Sequence, residues 1–167
     1  MEKLMVDNTI IEVQMAQMQL SEAPAILVTR GLGSCLGITF YEPSRKIGSM
    51  AHPMLPDVNK AKIKSNPSRF VNSAIALMIE EMEKKGCPKS RIVAKIFGGA
   101  HMFSFISTDS VLNVGQKNIE MALAVLKESG IKVIGQEVGG TFGRTIELNL
   151  SDGKVLVKTV SWGEKEI

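Results

Sequence analysis

Short runs in which apolar and polar residues alternate fill the first third of the chain: Thr9 to Met18, Ala25 to Thr29, Leu36 to Tyr41 and Lys46 to Met54. Turn signals such as Glu22-Ala23-Pro24 and Glu42-Pro43-Ser44 separate them. A period of two bounded by proline and polar residues predicts short meandering strands. The last two runs flank Glu42-Pro43-Ser44-Arg45, where proline presets φ for a hairpin connection. In the returning strand Gly48, Met50, His52 and Met54 share one face. From Leu55 to Asn66 the chain becomes polar and lysine-rich among Pro53, Pro56 and Pro67, which predicts a mobile loop.

The period then changes. Ser65-Asn66-Pro67 reads as a helix start, and Phe70, Val71, Ala74, Ile75, Met78 and Met82 recur at helical spacing until Gly86. A second helix is expected from Asn113 to Gly130, with Val114, Ile119, Ala122, Val125 and Leu126 as its apolar stripe. Strands are expected at Arg91 to Phe97, Ile131 to Val138, Arg144 to Leu150 and Lys154 to Val160, the last two joined by Asp152-Gly153. Two amphipathic helices among many strands give a sheet-rich α+β domain. At 167 residues the chain, 1–167, is expected to be one domain.

Composition narrows the function classes. With 44% apolar and 22% charged residues the chain is an ordinary globular sequence. A net charge of +3, with basic residues scattered except in Lys60-Ala61-Lys62-Ile63-Lys64, leaves no nucleic-acid footprint. The amino terminus lacks a basic region followed by an apolar run, and no membrane-spanning apolar stretch follows, so a cytoplasmic protein that is not membrane-embedded is expected. In that compartment both Cys35 and Cys87 are expected to be free thiols. Two helices already committed to covering a sheet leave a monomer as the expected state.

Cys35 sits in Arg30-Gly31-Leu32-Gly33-Ser34-Cys35-Leu36-Gly37 and reads as a nucleophile. An unperturbed thiol has a pKa of about 8.5 and needs an imidazole to become reactive near neutral pH. The chain offers two histidines. Hairpin pairing brings His52 back toward Cys35, so His52 ranks first as base; His101, in a loop beginning Phe97-Gly98-Gly99, ranks second. Thr29, ending the strand before the bend, can orient the imidazole. The glycines allow amides near Gly33 and Ser34 to converge on an oxyanion and line a substrate cleft.

Plainer readings compete with each of these. Cys35 can be an inert core thiol, His52 a histidine satisfied by a carbonyl, and Thr29 a space-filling strand residue. Cys87, beside Pro88, reads as structural. The bend places its last glycine too late for a dinucleotide fingerprint and precedes a strand, so no cofactor is expected there. The cysteines and histidines lack zinc-ligand spacing, so no metal is expected. Gly139-Gly140 and Gly143 read as a turn or, more weakly, as a cleft wall.

Taken in order, Thr29 with Gly31-Leu32-Gly33-Ser34-Cys35, then Gly48 to Pro56, then Ala94-Lys95-Ile96-Phe97-Gly98-Gly99-Ala100, the chain resembles the CheD chemoreceptor glutamine deamidase family. The likeness extends to the Asn118 helix, Gly139-Gly140 and the carboxy-terminal hairpin. It implies a three-layer sandwich of mixed β-sheets with a layer of two main helices, related to glutamine-deamidating cysteine hydrolases. It also implies a catalytic set of Cys35, His52 and Thr29. A Cys35 thiolate paired with protonated His52 would attack selected receptor glutamines, leaving glutamate through a thioester, and receptor methyl esters are plausible further substrates. The implied partners are the cytoplasmic helices of chemoreceptors and the CheC phosphatase. The main alternative is a non-catalytic adaptor that binds receptors or CheC. Lys60, Lys62 and Lys64 are the expected receptor-docking cations.

Overall fold

The computed structural model describes residues 8–102 and 113–167. Residues 1–7, read above for an export signal, and Phe103 of the His101 loop lie outside the described residues. In chain order the elements are β1 (Thr9–Glu12), β2 (Met18–Glu22), β3 (Ala25–Leu32), β4 (Leu36–Glu42), β5 (Ile47–Ala51), α1 (Val71–Lys84), β6 (Val93–Gly98), α2 (Val114–Glu128), β7 (Lys132–Val138), β8 (Arg144–Asn149), β9 (Val155–Thr159) and β10 (Gly163–Glu166). One sheet has the order β1-β3-β8-β9-β10 and the other β2-β5-β4-β6-β7. Each contains one parallel pair, β1 with β3 and β6 with β7, among antiparallel neighbours. Both sheets are therefore mixed, and the fold is α+β.

The layers follow from which faces are apolar. Leu36, Ile38 and Phe40 of β4 pack with Ala74, Ile75 and Met78 of α1 and Ile119, Ala122 and Leu126 of α2. A second core joins Met50 of β5 and Phe97 of β6 to Leu27, Ile146, Leu148 and Val157 of the other sheet. The β2-β5-β4-β6-β7 sheet is thus the middle layer, and every residue of β4 is buried. Such two-sided burial suits a strand with few charges. Where the sheets approach most closely the middle layer carries glycine: a Cβ on Gly48 would lie 2.6 Å from Leu150 Cδ2, and one on Gly37 2.6 Å from Ile146 Cδ1 and 2.9 Å from Leu32 Cδ1.

Several elements differ from the sequence expectation. The run Thr9 to Met18 is two strands in different sheets, because the chain turns through Ala16 at φ +61° and crosses between layers. β3 runs on to Leu32, with a register shift between Thr29 and Leu32 where Gly31 takes φ +70°. Asn66 caps a 3₁₀ turn, Pro67–Arg69, and the α-helix begins only at Val71. The loop expected to be mobile contains a 3₁₀ turn, Val58–Lys60, capped by Asp57. It is tied down where Val58 N donates to Asn72 Oδ1 (3.0 Å) and Asn66 Nδ2 donates to Ala16 O (3.0 Å). β10 was not anticipated; its sequence Gly-Glu-Lys-Glu is exposed throughout and carries no apolar signal. No helix among the described residues is long and apolar enough to cross a membrane.

The closeness of the sheets at Gly37 makes a specific prediction. Gly37→Ala should lower unfolding free energy by about 1–3 kcal/mol through overpacking. Adding Ile146→Val, which removes the Cδ1 atom in the way, should restore part of that loss in a urea melt; strictly additive losses would refute the account.

Candidate active site

His52 lies one residue beyond β5, but its backbone stays in the ladder. His52 N donates to Gln17 O (3.0 Å) and Ala16 N donates to His52 O (2.8 Å) on one side, while Leu36 N donates to Pro53 O (3.1 Å) on the other. In the β4–β5 register Ile38 faces Ala51. Carried onward, that register sets Gly37 opposite His52 and Cys35 opposite Met54. Cys35 and His52 are then diagonal neighbours on one face of the sheet, with no hydrogen bond between them among the described residues. Gly37, directly across from His52, puts no side chain between them.

That face looks toward β3, which supplies Thr29. Thr29 Oγ1 lies 2.6 Å from Val13 O and 2.7 Å from His52 Nδ1, and Thr29 is fully buried. A hydroxyl has a single proton, and a carbonyl oxygen can only accept. Thr29 therefore donates to Val13 O and accepts from His52 Nδ1–H. This fixes the imidazole tautomer and leaves a lone pair on Nε2. His52 is 1% exposed, and Nε2 has no hydrogen-bond partner among the described residues.

The bend carrying Cys35 is held by its carbonyls. Gly33 O accepts from Ala100 N (2.8 Å), Cys35 O accepts from Gly99 N (2.9 Å), and Ser34 O accepts from Asn118 Nδ2 (2.9 Å). The C=O and N–H of a trans peptide point in opposite directions. With the Gly33 and Ser34 carbonyls bound to the protein, the Ser34 and Cys35 N–H groups point away from those anchors, and neither donates to another residue among the described residues. Close contact explains two glycines beneath the bend: a Cβ on Gly98 (φ +95°) would run into Cys35 O, and one on Gly99 (φ +68°) would lie 2.6 Å from Ile119 Cγ1 of α2. Cys35 is half-buried.

Burial pushes the Cys35 thiol above its ordinary value, partly offset by its own backbone N–H. Burial also pushes the His52 imidazole down to about 4. Both shifts favour the uncharged forms, so the resting pair at neutral pH is thiol and neutral imidazole. The sequence had suggested a thiolate–imidazolium pair; the desolvation that opposes it depends on packing.

Other sequence candidates are placed differently. Cys87 is buried in the core between α1 and the middle sheet, in the segment that follows α1. The His101 backbone N donates to Gly140 O (2.8 Å), and its Nε2, like that of His52, is buried without a partner among the described residues. No hydrogen bond joins His101 to Thr29 or His52 among the described residues. The Gly139-Gly140 turn also holds β6, with Gly139 N donating to Gly98 O (2.9 Å). Next to it Arg144, buried under Phe142, reaches from β8 to Glu137 of β7 (3.1 Å) and pins the two sheets together. Sequence reasoning missed the parts played by Val13 O, Gly98 and Asn118. Asn118 did leave a signal, a polar residue on the otherwise apolar inward face of α2 with Gly115, Ile119, Ala122 and Leu126.

The family model described as "CheD chemotactic sensory transduction" matches residues 54–159. The chain belongs to the CheD family. That match begins just past His52, but full-length relatives span the bend as well. A protein from Caldanaerobacter subterraneus subsp. tengcongensis named "Probable chemoreceptor glutamine deamidase CheD" is 41% identical over 96% of this chain and 99% of its own length. One of the same name from Desulfitobacterium hafniense is 42% identical over the same shares. Among solved structures, the Bacillus licheniformis hypothetical protein YfiH is similar over 74% of this chain and 51% of its own, with a TM-score of 0.50 at 16% identity. That likeness concerns the fold alone.

The depressed imidazole of this CheD-family chain sets a pH dependence of stability. The unfolded histidine takes up a proton below about 6.5, whereas the folded site refuses it until about 4. The contribution is therefore full above pH 6.5 and is lost as pH falls toward 4, by about 3 kcal/mol in all. Urea melts of wild type and His52→Gln should show the wild-type advantage shrinking by about that amount between pH 7 and pH 4. A pH-independent difference would show that His52 is not held neutral.

Proposed function

We propose that this chain is a single-domain protein-glutamine deamidase that converts selected glutamine side chains of chemoreceptors to glutamate. The observation that carries the reading is the Val13–Thr29–His52 relay of hydrogen bonds, which leaves a bare Nε2 on the face shared with Cys35. The names of the relatives support the substrate and reaction class. A base with a fixed tautomer, a thiol on the same face and outward amides beside it meet the needs of acyl transfer.

In this mechanism the glutamine carboxamide enters beside Cys35. His52 Nε2 takes the thiol proton as Sγ bonds to the amide carbon, so charge separates only as the carbonyl oxygen becomes an oxyanion. The Ser34 and Cys35 N–H groups, at the bend that includes Gly33, receive that oxyanion. The imidazolium keeps Nδ1–H on Thr29 and returns its Nε2 proton to the departing ammonia. Water, deprotonated by the same Nε2, hydrolyses the thioester to glutamate and frees the Cys35 thiol. A glutamate methyl ester would follow the same course with methanol as leaving group. No cofactor or metal enters any step. The same reading makes the protein a cytoplasmic monomer that meets chemoreceptor helices, with a CheC phosphatase as a second partner.

Mass spectrometry of a chemoreceptor cytoplasmic fragment incubated with the protein should show a gain of about 1 Da per converted glutamine, abolished in Cys35→Ala and His52→Ala and strongly slowed in Thr29→Val. Folded wild-type protein that binds the fragment without any mass gain would favour the adaptor reading.

Lys60, Lys62 and Lys64 are exposed on the anchored loop that follows His52, and none is in an ion pair among the described residues. Neutralising all three should weaken receptor binding several-fold at low salt and leave Cys35 alkylation unchanged. Equal affinity across a salt series would remove this loop from the docking surface.

A further inference from the structure

Beyond Ile38 and Ala51 the regular pairing of β4 with β5 ends, and the proposed nucleophile and base lie past that point. The last backbone bond there is Leu36 N to Pro53 O (3.1 Å). At the next position two carbonyls, Ser34 O and Met54 O, have no amide between them. Asn118 of α2 fills the gap: its Nδ2 donates to Ser34 O (2.9 Å) and to Met54 O (3.1 Å). A carboxamide nitrogen has two N–H groups, one for each carbonyl, so the orientation is fixed by what it must donate to. Ser34 precedes Cys35, and Met54 follows His52 by two residues.

We propose that Asn118 is a positioning residue, a side-chain rung that sets the separation of the Cys35 bend from the His52 strand; this rests on the deamidase reading above. Its surroundings argue against simple packing. Asn118 is fully buried on a helix face whose other inward residues are Gly115, Ile119, Ala122 and Leu126, and its Oδ1 has no partner among the described residues. A buried acceptor left unpaired is unfavourable, and an apolar side chain of similar shape would avoid it. What an apolar side chain cannot supply is two donors to two strands. The same rung holds the Ser34 carbonyl, so it also aims the Cys35 N–H in the opposite direction.

The test is Asn118→Leu, close in shape and lacking both donors. The measurements are glutamine conversion, the pH profile of Cys35 carboxamidomethylation with Cys87 as internal reference, and thermal melting. Expected is a fall in kcat of about tenfold to a hundredfold with KM within about threefold, as for misplacement of reacting groups, in protein that still melts cooperatively. The Cys35 profile should be displaced from wild type, a shift that loss of folded protein alone would not produce. Asn118→Ser, which retains one donor, should fall between the two. A folded Asn118→Leu with wild-type kcat and an unmoved Cys35 profile overturns the proposal.

If neither variant folds, the wild-type protein decides. The side-chain NH₂ protons of Asn118 should exchange slowly with solvent and shift in NMR spectra when Cys35 is alkylated; fast exchange with no shift overturns the proposal. Wild-type protein that converts no receptor glutamine, while Asn118 still controls the Cys35 profile, would defeat the deamidase reading and leave the rung standing. Normal conversion by both wild type and variant would do the reverse.

Discussion

The passage of the chain from one sheet to the other between Leu32 and Leu36 is the constraint on which the site depends. β3 belongs to the outer sheet and β4 to the middle one, so three residues must carry the backbone between layers. A crossing that short meets few of its own polar groups, the Gly33 N–H finding Gly31 O (3.0 Å). Its carbonyls are instead bound by Ala100 N, Asn118 Nδ2 and Gly99 N. Gly98 is a glycine because a Cβ there would meet the Cys35 carbonyl, and Gly99 because one there would meet Ile119 of α2. The orientation that satisfies the carbonyls is also what turns the Ser34 and Cys35 amides away from those anchors.

The same passage brings the two sheets together around the imidazole. Thr29 is the last regularly paired residue of β3 before the register shift, and His52 is the first residue beyond β5. Their hydrogen bond therefore joins the layers where both ladders give out, and Arg144 with Glu137 makes a second tie between β8 and β7. Neither link is required to hold the apolar core, which Leu27, Met50, Phe97 and Ile146 already fill. Buried polar links of this kind specify geometry more than they add stability.

Much of this could be read in the sequence, and the limits have physical causes. Period and turn residues located β4, β5, β6, both helices and the strands after them, and the hairpin count brought His52 back toward Cys35. Identity alone suggested Thr29 as orienter. The carbonyl of Val13, which dictates the tautomer, could not be read, because any residue type supplies the same carbonyl. Asn66 looks like an α-helix cap and caps a 3₁₀ turn, since both ends use the same side-chain acceptor for an amide two residues on. β10 is held by pairing with β9 and has no apolar face to announce it. The resting charge state of the pair could not be read either, because desolvation is a property of packing.

That charge state bears on selectivity. A thiolate–imidazolium pair would be poised toward any electrophile that reached it. Here burial holds the thiol up and the imidazole down, so proton transfer alone is unfavourable in the resting protein. In the proposed mechanism transfer becomes favourable only when the new negative charge has somewhere to go, and that place would be the carbonyl oxygen of a bound amide facing the Ser34 and Cys35 N–H groups. Electrostatic stabilisation of this kind acts on the transition state and not on the free enzyme. A substrate that fails to seat its carbonyl there gains little from the thiol, however close it comes. Under the proposed mechanism reactivity is thereby tied to a correctly held carboxamide, which is what selecting one glutamine among many would require.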